Sequence, residues 1–269
     1  MYAEGSTAVV TGAAGGIGAA LARRLVAEGF RVLVADLDPS VAALGTSLGM
    51  PVFTGDCASE DGVTALVDTA LSTLGRVDVF FANAGLGAGR GLASSEAEWH
   101  AALEVNILAH VRAARLLVPR WLEVEQGVDA EQLGPRGRFV VTASAAGMLT
   151  MLGSAPYSVS KHGAVAFAEW LRATYGHRGI VVQAICPQGV RTRMLEEAGP
   201  LKELLSRDRA LEPEEVADVV VRALDGDEFY ILPHPEVAGY YAQRATHPDA
   251  WLAGMGRLQA KLDREASAP

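Results

Sequence analysis

The chain has 269 residues, of which half are hydrophobic, and this is enough for one large domain with a substantial core rather than a disordered chain. Its formal net charge of −9 argues against a nucleic-acid or anionic-membrane surface, so we expect neither partner. Cys57 and Cys186 lack metal-ligand spacing and indicate buried thiols in a reducing compartment. Because there is no basic leader and no apolar run near ~18 residues, we expect a cytoplasmic protein, and no cluster suggests a metal site.

Short apolar runs alternate with longer helical patterns along the chain. The runs predict seven strands, at 6–12, 31–37, 51–56, 77–85, 138–144, 180–187 and 229–233. Helices are predicted near 16–28, 59–74, 96–124, 156–175 and 213–225. Strands that are apolar throughout are typical of a parallel sheet covered on both faces. The alternation therefore predicts an α/β protein, a doubly wound Rossmann-type domain with a parallel seven-stranded sheet flanked by helices.

The organisation of the chain predicts a single domain over 1–269, since neither an internal repeat nor a low-complexity linker interrupts it. The core of this domain is expected at 5–233. Two stretches look like additions to the core. The first is a polar loop at 125–137, and the second is a partly helical tail at 234–269.

The first predicted strand runs directly into a glycine-rich turn, TGAAGGIG. Gly12, Gly16 and Gly18 permit positive φ and let backbone N–H groups approach a phosphate at the start of the next helix. Asp36 ends the second strand, where a carboxylate accepts hydrogen bonds from ribose hydroxyls and repels a 2′-phosphate. Asp36 is alternatively a plain loop carboxylate next to Asp38, which is placed to cap the following helix. Together the turn and the acid predict a dinucleotide site that prefers NAD to NADP.

The stretch YSVSK places Tyr157 four residues before Lys161 in a predicted helix, so the two lie one turn apart on the same face. The chain has only three lysines against twenty arginines, and a compact ammonium suits this position better than a planar guanidinium. A nearby ammonium favours phenolate over phenol. The pair therefore predicts a proton-transfer device in which Lys161 lowers the pKa of Tyr157, and the alternative is an ordinary pair on a helix surface.

In order along the chain, these residues resemble the short-chain dehydrogenase/reductase family. TGAAGGIG matches the family's glycine loop, NAG at Asn83–Gly85 matches its motif after the fourth strand, and YSVSK matches its tyrosine–lysine pair. Asn106 matches the family's helix asparagine. Ser144, thirteen residues before Tyr157, matches its active-site serine at the usual spacing. The resemblance covers roughly residues 5–233.

This resemblance implies an oxidoreductase that moves a hydride between NAD(H) and a secondary alcohol or ketone. Tyr157 would exchange the substrate's proton, Lys161 would lower the pKa of Tyr157 and hold the ribose, and Ser144 would orient the substrate oxygen. Asn106 would hold a water that relays the proton to solvent. The cofactor-binding residues that the resemblance implies are Gly12, Gly16, Ile17, Gly18, Asp36, Leu37, Asp56, Cys57, Asn83, Ala84, Gly85, Tyr157, Lys161, Pro187, Val190 and Thr192.

Several of these residues also have a purely structural interpretation. Asn83 is alternatively a strand-end turn residue, Asn106 a buried helix amide, and Asp56 the cap of the helix that starts near Ser59. Two features depart from the family pattern. The stretch PQGVRT carries Gln188 where glycine is usual, and the chain continues through ILPHPEVAGYY in place of the family's frequent ending.

The substrate is predicted only as a class. The segment 191–212 would form a lid whose apolar residues face a pocket or simply pack inside a helix, and an apolar alcohol or ketone is mildly preferred. The apolar residues of the lid and the opposing loop are Met194, Leu195, Leu201, Leu204, Leu205, Met148, Leu149 and Met151. By resemblance, helices near 99–124 and 156–175 pair in a homodimer or homotetramer. Two rival hypotheses remain, a catalytically silent NAD(H)-sensing or scaffold protein and an NAD-dependent epimerase or dehydratase.

Overall fold

The computed structural model describes residues 2–87, 89, 91–123, 136–198 and 209–266. Within these residues the strands form one seven-stranded sheet in the order β3-β2-β1-β4-β5-β6-β7, and every neighbouring pair is parallel. The strands are β1 (Thr7–Thr11), β2 (Arg31–Asp36), β3 (Val52–Thr54), β4 (Val79–Ala82), β5 (Gly137–Thr142), β6 (Ile180–Ile185) and β7 (Tyr230–Ile231). This confirms the predicted doubly wound parallel sheet.

All seven predicted strands end one to three residues earlier in the structure than the sequence indicates. The largest difference is in the strand predicted at 77–85, which ends at Ala82, and the one at 180–187 ends at Ile185. Beyond Ala82 the chain leaves the sheet, because the backbone N–H of Asn83 donates to the carbonyl of Phe81 and to the hydroxyl of Thr11. The apolar pattern continues past these points, so sequence alone does not mark where the strands become loops.

Helices cover both faces of the sheet. They are α1 (Gly16–Ala27), α2 (Val41–Leu48), α3 (Glu60–Leu74), α4 (Glu96–Leu103), α5 (Ala109–Leu122), α6 (Ala146–Leu149), α7 (Ala155–Tyr175), α8 (Arg193–Glu196), α9 (Pro213–Ala223), α10 (Glu236–Thr246) and α11 (Pro248–Ala266). One hydrophobic cluster packs α3, α5 and α7 against the sheet, and a second packs α1, α2 and α9 against the other face. In the part of the chain that is described, no helix is both long and apolar enough to cross a membrane.

The helix predicted at 96–124 is confirmed by α4 and α5. A π-helical turn at Glu104–Leu108 joins the two without a break in the helical backbone, and this turn was not predicted. The predicted partly helical tail is confirmed by α10 and α11, whereas α2 and the short α6 and α8 were not predicted. Most of the predicted loop 125–137 lies outside the described residues, as do residues 199–208 of the predicted lid.

A buried arginine lies at the amino-terminal end of β5, on the edge of the sheet opposite the strand carboxyl ends. Only 3% of Arg138 is exposed. Its guanidinium donates to the Tyr2 hydroxyl, the side-chain oxygen of Gln183 and the carbonyls of Leu224 and Gly226. The cation is thus held by neutral oxygen atoms, which offset part of the cost of taking the charge out of water.

Candidate active site

The glycine-rich turn between β1 and α1 is shaped by close packing. Gly12 has φ of +67°, and a β-carbon there would lie 2.8 Å from the Cα of Ala84. A β-carbon at Gly18 would lie 2.1 Å from the Gly12 carbonyl oxygen. Gly15, at the start of α1, provides no side-chain cap and has no heavy atom within 4 Å of its β-carbon position. The turn is therefore an open cradle at a helix N-terminus, which suits a phosphate group.

Asp36 lies at the tip of β2 and contacts this cradle directly. Its Oδ2 accepts the backbone N–H of Ala14 at 2.8 Å, and its Oδ1 accepts the N–H of Asp38 at 2.9 Å. Leu37 beside it is 69% exposed. The structure thus brings the predicted acid and the predicted glycine turn together at one end of the sheet.

Asn83 ties the ends of three strands together. Its Nδ2 donates to the carbonyl of Thr11 at 2.8 Å, and its Oδ1 accepts the hydroxyl of Thr142 at 2.9 Å. The Thr11 hydroxyl in turn accepts the backbone N–H groups of Asn83 and Ala84. Thr11 and Thr142 were not predicted as site residues, although Thr11 opens the TGAAGGIG stretch. Asn83 therefore holds the cradle in place through contacts within the protein.

Asp56 holds the turn that leads into α3. Its Oδ1 accepts the N–H of Ala58 at 2.8 Å, and its Oδ2 accepts the N–H of Ser59, whose own side chain caps α3. The hydrogen bond with Ser59 lowers the pKa of the Asp56 carboxyl group. Cys57 beside it is buried, and burial raises the pKa of its thiol to about 12. Asp56 as the cap of the helix is therefore wrong, because Ser59 is the cap of α3 and Asp56 binds the turn before it, and the predicted place of Asp56 beside the cofactor stays a proposal.

The tyrosine–lysine pair lies at the start of α7. Ser154 caps this helix by accepting the N–H of Tyr157. The Nζ of Lys161 lies 5.7 Å from the centre of the Tyr157 ring and donates to the carbonyl of Thr142 at 2.9 Å. Both side chains are buried. They are therefore not an exposed pair on a helix surface.

Ser144 follows β5 and faces Tyr157. Burial raises the pKa of Tyr157, and its hydrogen bond with Ser144 lowers that pKa in part. Burial also lowers the pKa of Lys161, to about 8. Burial of the phenol is thus the largest influence on the pKa of Tyr157 among the protein's own residues, and the lowering of that pKa by Lys161 stays a prediction.

Asn106 lies in the π-helical turn and is completely buried. Its Oδ1 accepts the N–H of Leu86, and its Nδ2 donates to the carbonyl of Leu86 and to the hydroxyl of Ser160, each at 3.0 Å. A β-carbon at Gly85 would lie 3.1 Å from the Asn106 Oδ1 and 3.2 Å from the Lys161 Nζ. Asn106 and Lys161 are thus close neighbours around Gly85, and π-helical turns are often found at functional sites.

A loop after β6 joins the serine to the glycine turn. The carbonyl of Pro187 accepts the N–H of Ala145, next to Ser144, at 2.8 Å. At the other end, the Thr192 methyl lies 2.9 Å from the position of a β-carbon at Gly16. The predicted residues Pro187 and Thr192 therefore bridge the two halves of the site, with Val190 between them.

The predicted substrate-facing residues separate into two groups. Met148 and Leu149 are buried in the hydrophobic core, which favours packing over a pocket role, whereas Met151 is only half-buried. Leu195 is buried, and the exposed Met194 approaches Gly87. The remaining three, Leu201, Leu204 and Leu205, lie outside the described residues.

The comparisons define the class of this protein. The family profile described as short chain dehydrogenase matches residues 6–202, and the chain belongs to this family. It is therefore an oxidoreductase, as the motifs predict.

Particular relatives refine this assignment. The chain is 34% identical over 247 residues to 1-deoxy-11-beta-hydroxypentalenate dehydrogenase of Streptomyces avermitilis, covering 88% of this chain and 87% of that protein. It is 30% identical over 216 residues to (−)-trans-carveol dehydrogenase of Rhodococcus erythropolis, covering 73% and 75%. A crystal structure of a short-chain dehydrogenase/reductase from Burkholderia phymatum in complex with NAD is similar with a TM-score of 0.79, at 28% identity, covering 94% of this chain and 97% of that one.

Proposed function

We propose that this enzyme transfers a hydride reversibly between NAD(H) and a secondary alcohol or ketone. The observation that carries the proposal is the convergence of Ser144, Tyr157 and Lys161 beside an open glycine cradle at the carboxyl ends of the strands. Ligands of open α/β sheets bind at this edge. The same proposal treats the chain as a single catalytic domain, with its core at 5–233 and its tail at 234–269.

The cofactor assigned to the cradle is NAD. The open space beside Gly15 leaves room for a pyrophosphate at the start of α1. Gly12, Gly16 and Gly18 would shape the turn around it, with Ile17 in the first turn of the helix. Asp36 and Leu37 would meet the adenosine ribose, with Asp56 and Cys57 beside the adenine. The nicotinamide side would be lined by Ala84, Gly85 and the loop through Pro187, Val190 and Thr192. The Burkholderia phymatum relative, which was solved with NAD, supports this assignment.

The protein's own residues supply the proton chemistry. In the oxidation direction, Tyr157 as phenolate takes the proton of the substrate hydroxyl, while bound NAD⁺ supplies the acceptor for the hydride. Ser144 shares a hydrogen bond with Tyr157 and orients the substrate oxygen. Lys161 is cationic below about pH 8, where its charge favours the phenolate. Asn106 holds the backbone of Leu86 and the α7 residue Ser160 around the lysine, and the relay water assigned to it is part of the proposal.

The substrate assigned to the site is an apolar alcohol or ketone. Two relatives carry alcohols in their names, a hydroxypentalenate and trans-carveol. The exposed Met194, which approaches Gly87, supports an apolar substrate. A catalytically silent sensor would not need Ser144 and Tyr157 in contact, and no particular contact favours an epimerase or dehydratase.

We also propose that the enzyme assembles as a homodimer or homotetramer. Three large hydrophobic side chains on the helices predicted to pair are exposed. They are Leu108 in the π-helical turn, at 41%, and Val159 and Trp170 on α7, at 50% and 55%. Burial against a second copy would remove this surface from water. Leu117 on α5 and Leu171 on α7 are buried inside the subunit and do not contribute.

The test is NADH formation at 340 nm over a panel of secondary alcohols, followed by Tyr157→Phe on the best substrate. Removing this one hydroxyl should lower kcat by about 10²–10⁴ while leaving NAD binding nearly intact. Tyr175→Phe is the matched control, because it removes a hydroxyl from the half-buried carboxyl end of the same helix. Near-native turnover by Tyr157→Phe would show that the assigned mechanism is wrong.

A further inference from the structure

The loop formed by residues 187–192, called here the 187–192 loop, is the segment that connects the serine side of the site to the cradle. Pro187 holds one end through Ala145, and Thr192 packs against Gly16 at the other. A shift of this loop therefore moves the surface between the acid–base residues and the cofactor. Within it stands Gln188, the residue that departs from the family pattern.

His234 fixes this loop from outside the site. It lies between β7 and α10 and is only 3% exposed. Its Nδ1 lies 3.1 Å from the backbone nitrogen of Gln188, and its Nε2 lies 3.0 Å from the carbonyl oxygen of Arg209. A backbone N–H can only donate and a carbonyl can only accept, so both bonds require a neutral ring with its proton on Nε2.

Two further contacts complete the link. The side-chain Nε2 of Gln188 donates to the Oε1 of Glu236 in the first turn of α10, at 3.1 Å. Leu211 donates its N–H to the carbonyl of Gly189 and accepts the N–H of Arg191, which forms a parallel bridge at Val190. The imidazole thus joins three segments, namely the 187–192 loop, the stretch at 209–211 and the start of the tail.

The two departures from the family pattern therefore form one feature. Gln188 replaces the usual glycine, and the continued chain after β7 supplies His234 and Glu236 as its partners. Because His234 is buried, its removal would leave the N–H of Gln188 and the carbonyl of Arg209 without these partners in a site poor in solvent. A space of imidazole size would also open beside the loop.

We propose that His234 is a positioning residue for hydride transfer, which it serves by holding the 187–192 loop on the nicotinamide side of the site. This rests on the proposed function. Small displacements matter at such a position, since a misplacement of about 1 Å far from the reacting atoms can cost about 10²-fold in rate. The tail of this enzyme is thereby part of its catalytic geometry.

Two isosteric substitutions separate the two hydrogen bonds. In His234→Asn, the side-chain oxygen takes the place of Nδ1 and keeps the bond to Gln188. In His234→Gln, the amide nitrogen takes the place of Nε2 and keeps the bond to Arg209, while the bond to the loop is lost. His247→Asn is the matched control, because His247 is exposed at the end of α10 and its Nδ1 lies beside the hydroxyl of Thr246.

The first measurement is amide hydrogen exchange of the 187–192 loop in the protein without cofactor. We expect faster exchange in His234→Gln and in His234→Phe, and near wild-type exchange in His234→Asn and His247→Asn. The second is steady-state kinetics with deuterated alcohol. His234→Gln should lower kcat about tenfold or more with an increased deuterium isotope effect, whereas His234→Asn should stay within about threefold of wild type.

The outcomes are distinguishable. If His234→Asn and His234→Gln lose activity equally and in proportion to the drop in Tm, the residue is only structural and the proposal is wrong. Wild-type exchange and wild-type kcat in His234→Gln would also overturn it. If the wild type oxidises none of the alcohols, the proposed function fails. In that case, loop exchange together with NAD affinity measured by calorimetry still decides whether His234 fixes the loop, with unchanged values in His234→Gln counting against it.

Discussion

Coenzyme preference gives the sharpest prediction, because it depends on one carboxylate whose position is known. Asp36 is anchored by the N–H groups of Ala14 and Asp38, so it cannot turn away without losing two hydrogen bonds. A phosphate dianion about 6 Å from this carboxylate would be repelled by about 1.4 kcal/mol at the dielectric constant of water, and by more near a protein surface. We therefore expect NAD to bind at least about tenfold more tightly than NADP.

A cation near this tip was not anticipated from the sequence. Hydrogen bonds with Ser40 are the main reason that the pKa of the Asp38 carboxyl group is lowered, and Arg193 at the start of α8 is close enough to lower it further. Arg193 is, however, paired with Glu197 at 2.7 Å. Its charge is thus partly compensated, and we expect it to leave the preference for NAD in place.

The informative substitution is Asp36→Asn, which removes the charge and keeps an oxygen that can accept the N–H of Ala14. It should weaken NAD binding several-fold, relieve the repulsion of NADP and so lower the NAD/NADP affinity ratio by about fivefold or more. Asp38→Asn is the control, because it makes the same change at an exposed residue two positions away. Titration by fluorescence gives both dissociation constants. Equal NAD and NADP affinity in the wild type, or an equal effect of the two substitutions, would refute the assignment.

Three further predictions follow from the contacts of the site. Ser144→Ala removes a hydrogen bond that lowers the pKa of Tyr157, so the rise of alcohol oxidation with pH should move to higher pH, and an unchanged profile would contradict this role. Asn83→Ala removes the side-chain hydrogen bonds to Thr11 and Thr142, of 2.8 and 2.9 Å, and should lower the free energy of unfolding by about 2 to 4 kcal/mol. In calorimetry, Tm should fall by about 5 to 10 °C, and a fall of less than about 2 °C would show that the strand ends do not depend on Asn83. Light scattering at micromolar concentration should give a molecular mass of at least twice the 28.2 kDa of one chain. Trp170→Glu should lower that mass, and a monomeric wild-type protein would contradict the interface.

Much of this fold could be predicted because its determinants are local. Buried parallel strands need apolar residues on both faces, so short apolar runs in the sequence predict the strands and their order along the chain. The structural need for glycine at positions 12 and 18 could also be predicted, because any side chain there would collide with neighbouring backbone. The turns that carry Asn83 and Pro187 were harder to place, because the apolar pattern runs past the last strand residue.

Other features could not be predicted because they depend on distant partners. The hydrogen bond between Gln188 and His234 joins residues 46 positions apart, and neither stretch of sequence indicates that the other is its partner. The raised pKa of Tyr157 depends on how deeply the assembled site is buried, whereas the sequence shows only the helical spacing to Lys161. The π-helical turn around Asn106 has a similar origin, since the amide is held by Leu86 and Ser160 from other segments.

The guanidinium of Arg138 also constrains the order in which the nascent chain can close. The strand that carries it is synthesised at about the midpoint, yet three of its four oxygen partners belong to residues 183, 224 and 226. Until the ribosome has released those residues, closing the sheet around β5 would bury a cation with only the Tyr2 hydroxyl to receive it. We therefore expect the first five strands to remain loosely assembled during translation and to consolidate only when the segment after α9 has emerged.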